Sequence, residues 1–301
     1  EIAGCGTAAG FRPDAHRDTE LMTGTPKSGR LVAPRLQVIK GAVAALCCLG
    51  ASAACQPRIN PEFPLTREQA AEALRRMEAS PKEFDRPVVV LAGLFDPGFA
   101  SDSIRRELQK LTPDGEQVIS IAFIGADDFD ACRRRVLERV EAAWPSEDPE
   151  STVEVDVIGV SMGGLVARYA ARPLRGEGKR LNVVRLFTLS TPHRGAKLAG
   201  NPLVGGQLSV DMTPGSAFLA VLNRHTARHD PLIVPYVRLD DGIVGERYAA
   251  PPGREAIWAA PPPLEFSHLM TAFEERFVAD IAGRLRSEGP QGAGEDAVSG
   301  R

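Results

Sequence analysis

The sequence predicts one α/β domain in which a mostly parallel sheet carries helices on both faces. Three observations lead there. Six short runs rich in valine, isoleucine and leucine recur along the chain, most of them nearly continuously apolar, as strands buried on both faces are. Helix-period stretches of ten or more residues separate most of these runs, which is the spacing a parallel crossover needs. A serine, two aspartates and a histidine each follow one of the runs, at the edge where the loops of a parallel sheet collect over the crevice between strands.

Each element has its own signal. After the proline-marked stretch QPRINPEFPL, Thr66 and Gln69 have capping-box spacing and TREQAAEALRRMEA is amphipathic. RPVVVLAG reads as the first strand, followed by the loop LFDPGFA and a helix, DSIRRELQKL, expected to be capped near Ser101. QVISIAFIG is the second strand, with Asp127 or Asp128 as N-cap of the long helix FDACRRRVLERVEAAW. TVEVDVIG is the third, leading through a serine turn into MGGLVARYAAR, which must stop before Pro173. NVVRLFTLS, PLIVPYVRL and REAIWAA supply strands four to six, and LMTAFEERFVADIAGRLRSE the last helix. The domain is expected to run from Pro57 to Glu288, with residues 193–231 as a cap insertion and 289–301 as a disordered tail.

With 301 residues, 43% of them hydrophobic, the chain can bury a full core. A formal net charge of −3 and the lack of a basic stripe interleaved with aromatics argue against nucleic acid. No repeat of 20 to 50 residues is present, and no apolar stretch is long enough for an internal membrane span. Residues 30–55 instead have the layout of an export signal: Arg30, Arg35 and Lys40, then the apolar GAVAALCCLG, then the small residues ASAAC. Met22 is the expected start, and residues 1–21 are left out of the fold argument. SAAC before Gln56 resembles the lipobox of bacterial lipoproteins, which implies a membrane tether through Cys55; cleavage near Ala53 or Ala54 gives a soluble exported protein instead. Both place the protein outside the cytoplasm, in periplasm, outer membrane or medium, and an internal helix of small residues is the alternative. Only Cys132 remains in the domain, so no disulfide framework is expected and it reads as a small buried hydrophobe.

The chemistry centres on GVSMGG. A serine hydroxyl becomes a nucleophile when a base within hydrogen-bond reach takes its proton, and a histidine serves as that base when a third group fixes its tautomer. Ser161 on a sharp strand-to-helix turn, Asp240 or Asp241 after the fifth run and His268 after the sixth supply such a set. Gly159 and Gly163 suit a turn where strand and helix approach closely. The amide of Met162, at the start of the following helix, and that of Leu94, after Gly93, are the expected donors to a developing oxyanion. His193 reads as a structural hydrogen-bonder, Asp156 as structural, and Asp96 as a shaper of the first loop. His225 and His229 are four apart but lack a carboxylate or cysteine to complete a metal set, and His16 lies in the leader. No metal and no cofactor is expected.

On these residues the chain resembles the α/β-hydrolase fold, in particular bacterial lipases and lipase-like esterases. VDVIGVSMGGLVARYA is similar to their nucleophile elbow, LSTPHRGAKLA to the segment following strand six of that family, DMTPGSAFLAVLN to a helix entry of the group, and DDGIV to the turn carrying the acid. The likeness spans about Pro87 to Met270. It implies Ser161 as nucleophile, Asp241 as acid with Asp240 as the alternative, His268 as base, and Leu94 and Met162 as oxyanion donors. The chain departs from the pattern at Ala92-Gly93, where His-Gly is common, and at Val160, where histidine is common. The resemblance implies hydrolysis of carboxylic, lipid-like esters through an acyl-enzyme. An acyltransferase or thioesterase with the same residues, or a silent lipid-binding protein on this scaffold, are the alternatives. The apolar row Leu198, Leu203, Val204, Leu208 and Val210 suits the underside of a cap over such a substrate, and equally a loop packed on the sheet. Oligomeric state is not legible.

Overall fold

The computed structural model describes residues 63–288, apart from 175, 177, 198, 200–205, 225–230 and 263. The export segment with Cys55, the terminal tail, His16, His225 and His229 lie outside the described residues. All six expected strands form, as β1 (Val88–Leu91), β2 (Val118–Ile121), β3 (Ser151–Val160), β4 (Arg180–Leu189), β5 (Leu232–Arg238) and β6 (Ile257–Ala259). They make one sheet in the order β2-β1-β3-β4-β5-β6, and every neighbouring pair is parallel. The fold class read from the sequence therefore holds.

The sheet has apolar side chains on both faces because successive side chains of a strand point to opposite sides. Val88 and Val90 join Ile158, Phe187, Leu189 and Tyr236 in one core, and Val89 and Leu91 join Val155, Val157 and Leu186 in the other. The helices α1 (Arg67–Ala79), α2 (Phe99–Gln109) and α8 (Glu275–Leu285) cover the first face. The helices α3 (Phe129–Ala143), α4 (Met162–Ala170), α5 (Gly206–Asp211) and α6 (Ala217–Leu222) cover the second, through residues such as Val136, Leu165, Leu208 and Leu219. Thr66 caps α1 in the expected box, and Asp128 rather than Asp127 caps α3 by accepting from the Ala131 amide at 2.7 Å. Cys132 is fully buried on α3, and burial pushes its thiol up to about 12.

Two helix boundaries differ from the expectation. The cap of α2 is not Ser101, which is buried inside the helix; the chain enters at Gly98. Asp96 accepts from the amides of Gly98, Ala100 and Ser101, so one carboxylate satisfies the donors that the first helical turn leaves free. The last helix is broken: α7 (Ser267–Met270) runs into a 3-10 turn, Thr271–Phe273, and α8 begins only after an extended Glu274. Glu274 is buried with Arg276, Arg238 and Arg67 around it, and these ion pairs hold the break open where the local sequence favours a continuous helix.

The strand order reverses direction between β1 and β3, because the chain leaves β1 for β2 on one side and returns to place β3 on the other. Such a switch point leaves a crevice at the carboxyl ends of the two strands. Gly93 follows β1 there and Ser161 follows β3.

Candidate active site

Ser161 sits at φ 50° and ψ −119°, a backbone conformation that a non-glycine residue adopts only under constraint. The constraint is visible on all sides. The Ser161 amide donates to Leu189 O at 2.8 Å, and the Thr191 hydroxyl donates to Ser161 O at 2.8 Å. A β-carbon on Gly159 would overlap the backbone of Gly164, and one on Gly163 would overlap Leu91 O. The turn can be this tight only with glycine at both places, and its effect is to raise the serine side chain above the sheet end.

His268 and Asp241 reach the same place from β6 and β5. Ser161 Oγ lies 3.2 Å from His268 Nε2, and His268 Nδ1 lies 2.9 Å from Asp241 Oδ2. Asp241 is buried, and its other oxygen accepts from the amides of Ile243 and Val244, each at 3.0 Å. Burial pushes the Asp241 carboxyl up, but the bond and charge of His268, the Val244 amide and the Ser190 hydroxyl outweigh it and hold the group below the usual carboxylate range. An ionised carboxylate can only accept, so the imidazole proton belongs on Nδ1. Nε2 is then left with its lone pair facing the serine hydroxyl. That arrangement can take a proton from Ser161 and hold the resulting imidazolium against a buried negative charge.

Asp240 is exposed and turns the chain at φ 61°, while its neighbour points inward. Of the two aspartates, geometry joins Asp241 to His268. Gly93 brings the loop after β1 against the serine: a β-carbon there would lie 3.3 Å from Ser161 Cβ and 3.9 Å from Oγ. Leu94 follows at once and packs on the second core, and Met162 opens α4 with its side chain buried. The amides of both residues thus belong to backbone that borders Ser161. Asp96 shapes this loop by capping α2, as expected, and leaves Phe95 at φ 61°.

His193 is fully buried and bridges Arg168, whose guanidinium donates to Nδ1 at 3.2 Å, and the Thr188 hydroxyl, 3.1 Å from Nε2. Burial first, then the charges of Arg168 and Arg194, push its pKa well below the ordinary value, so it is a neutral structural group. Asp156 is fully buried between Arg86 and Arg185, in register with Val88 at the opposite end of the sheet from Ser161. In the stretch 193–231, Leu208 packs in the second core and Val210 is exposed; Leu198, Leu203 and Val204 lie outside the described residues. Among the described residues no cluster of His, Cys, Asp and Glu could hold a metal.

The residues that sequence reasoning did not single out are hydroxyls. Thr191 locks the serine turn, Ser267 Oγ donates to Leu239 O at 2.7 Å, and Ser190 and Thr271 meet at 2.9 Å. Their only sequence signal is position, directly after β4 and beside His268.

A parallel sheet clad with helices, with a serine on a strained strand-to-helix turn and with serine, acid and histidine in that chain order, is the arrangement of the α/β-hydrolase fold. No protein-family model and no curated protein matches the sequence. Among solved structures the chain is similar to Aspergillus fumigatus lipase B, at 14% identity and a TM-score of 0.49 over 81% of this chain and 66% of that one. It is also similar to a protein described as a cell surface hydrolase from Lactobacillus plantarum WCFS1, at 16% identity and a TM-score of 0.33 over 52% and 68%. The present chain therefore spans about two thirds of the length of each.

Proposed function

We propose that the protein is a serine hydrolase that cleaves carboxylic, lipid-like esters through an acyl-enzyme. The observation that carries this reading is the unbroken hydrogen-bonded series from Ser161 Oγ through His268 to buried Asp241 at the switch point of the sheet. In the reaction, His268 Nε2 takes the Ser161 proton as Oγ attacks the ester carbonyl, and the Leu94 and Met162 amides receive the oxyanion. The imidazolium then protonates the leaving alcohol, and water repeats the sequence on the acyl-enzyme. Asp241 keeps Nδ1–H in place and balances the transient positive charge.

The substrate class rests on the rim of the crevice. Phe95 and Phe99, after β1, and Leu264, Phe266, Leu269 and Phe273, around His268, are all exposed. So many large apolar side chains on two segments beside one serine favour an acyl chain or a lipid-like alcohol over a polar ester. The basic, apolar and small-residue pattern before Cys55 adds export, with a lipid tether at that cysteine, to the proposal.

The test is pre-steady-state turnover of p-nitrophenyl esters of increasing chain length. A burst of p-nitrophenol equal to the enzyme, and higher kcat/KM for longer acyl chains, are expected. Faster turnover of acyl-thioesters would reassign the substrate, and absence of any burst would contradict the acyl-enzyme.

A further inference from the structure

The segment that carries His268, residues 264–274, has little apolar burial to hold it. Helix α7 spans four residues, too few to persist by itself, and Leu264, Phe266, Leu269, Met270 and Phe273 are exposed. The side chains that the segment buries are Ser267, Thr271, Ala272 and Glu274, of which only the alanine is apolar. Polar contacts therefore set its place, and they lead to the exit of β5. The Ser267 hydroxyl donates to Leu239 O at 2.7 Å. Arg238, directly before Leu239 and 1% exposed, donates from Nη2 to Glu265 Oε2 at 2.5 Å and forms an ion pair from Nε to Glu274 Oε2 at 3.5 Å.

Among the described residues these two carboxylates are the ones that pair with Arg238, one three residues before His268 and the other six after it. From this geometry we infer that Arg238 is a positioning residue: its guanidinium clamps the His268 segment at both ends and so sets where the imidazole stands between Ser161 and Asp241. The inference rests on the proposed hydrolase reading and adds a residue to it. A guanidinium suits the task because its planar fork presents several donors in fixed directions, so partners held by one fork are also fixed relative to each other.

Asp241 lies three residues beyond Arg238. The clamp thus ties base and acid to the exit of one strand, and what remains is the 3.2 Å reach from His268 Nε2 to Ser161 Oγ. A displacement of about 1 Å at such a contact can cost about 100-fold in rate. The two ends differ in how many anchors they have. Glu274 is also paired with Arg276 and Arg67, and Arg276 donates to Ala260 O at 2.8 Å, just after β6. Glu265 is paired with Arg238 alone among the described residues, and its side chain is about one third exposed. Removing Glu265 therefore frees the near end of the segment, while Glu274 still balances the buried guanidinium.

The experiment compares ester kinetics in wild type, Glu265→Ala, Glu265→Gln, Arg238→Lys and Arg86→Ala, with active enzyme counted from the p-nitrophenol burst. Hydrogen exchange of residues 264–274 is followed in the same proteins. Glu265→Ala is expected to lower kcat roughly tenfold with KM within about twofold and to speed exchange in the segment about tenfold. Glu265→Gln keeps an oxygen acceptor at the same reach and should stay within about threefold of wild type in kcat. Arg238→Lys keeps the charge but loses the fork, and its kcat should fall at least as far as in Glu265→Ala. Arg86→Ala weakens the buried ion cluster at the opposite end of the sheet; it should lower thermal stability and leave kcat within about twofold. With an active wild type, an unchanged kcat in Glu265→Ala, or a loss in KM alone, would overturn the inference and leave the hydrolase reading intact. A folded wild type with no ester turnover would sink that reading, and the catalytic meaning of the clamp with it.

Discussion

Ser161, His268 and Asp241 are individually ordinary residue types, and their chemistry comes from what each is denied. Ser161 is denied a relaxed backbone, Asp241 is denied water, and His268 meets the hydroxyl with the nitrogen that its bond to Asp241 leaves as an acceptor. The choice between the two aspartates is the sharpest residue-scale prediction. Asp241→Ala lowers ester kcat on the order of 10⁴-fold, whereas exposed Asp240→Ala stays within about twofold, measured with a p-nitrophenyl ester. The DDG turn left both open in the sequence, because an acidic residue before glycine is also a turn former. What separates them is the left-handed Asp240, which rotates the next side chain inward, and a single backbone angle leaves no trace in composition.

At the scale of elements, the elbow and the break before α8 behave in opposite ways toward sequence reading. The elbow is legible because its glycines are required locally: Gly163 faces Leu91 O with no room for a β-carbon. Gly163→Ala is expected to cost roughly 2 kcal/mol or more and to lower folded yield, read by thermal denaturation. The break is illegible because its cause is remote. Residues 269–288 have a helical pattern, yet Glu274 is drawn out of it by Arg67 from α1 and Arg238 from β5. Burial raises the Glu274 carboxyl, but Arg276, Arg67 and Arg238 bring it below its ordinary value of 4.5. A depressed carboxylate contributes stability above its unfolded pKa and loses it as pH falls through the folded one. Glu274→Gln should therefore lower stability at pH 7 by roughly 3 kcal/mol and flatten the loss expected of the wild type as pH falls below 4.5, measured by urea unfolding across pH. The cap of α2 departs from the sequence expectation for a related reason: Ser101 has capping chemistry, but Asp96, five residues earlier, closes the turn first.

At the scale of the molecule, the parallel order was legible because each strand is apolar enough to be buried on both faces. The proposed site was legible because such sheets collect their loop residues at one edge. The hydroxyls around the site were not, since serine and threonine are common and matter here only through which strand end they meet. Phe95, Phe99, Phe266 and Leu269 are likewise exposed on two segments distant in sequence, one following Gly93 and one flanking His268. Phe99→Ser with Phe266→Ser is expected to lower kcat/KM on a long-chain ester about tenfold and to leave an acetate ester within about twofold, a comparison that isolates chain binding from chemistry. The central claim, that this crevice holds an activated serine, is tested most directly by labelling the folded protein with a fluorophosphonate. Wild type should be labelled at Ser161 and Ser161→Ala should not. Absence of labelling in folded wild type, or equal labelling of folded Ser161→Ala, would contradict the account.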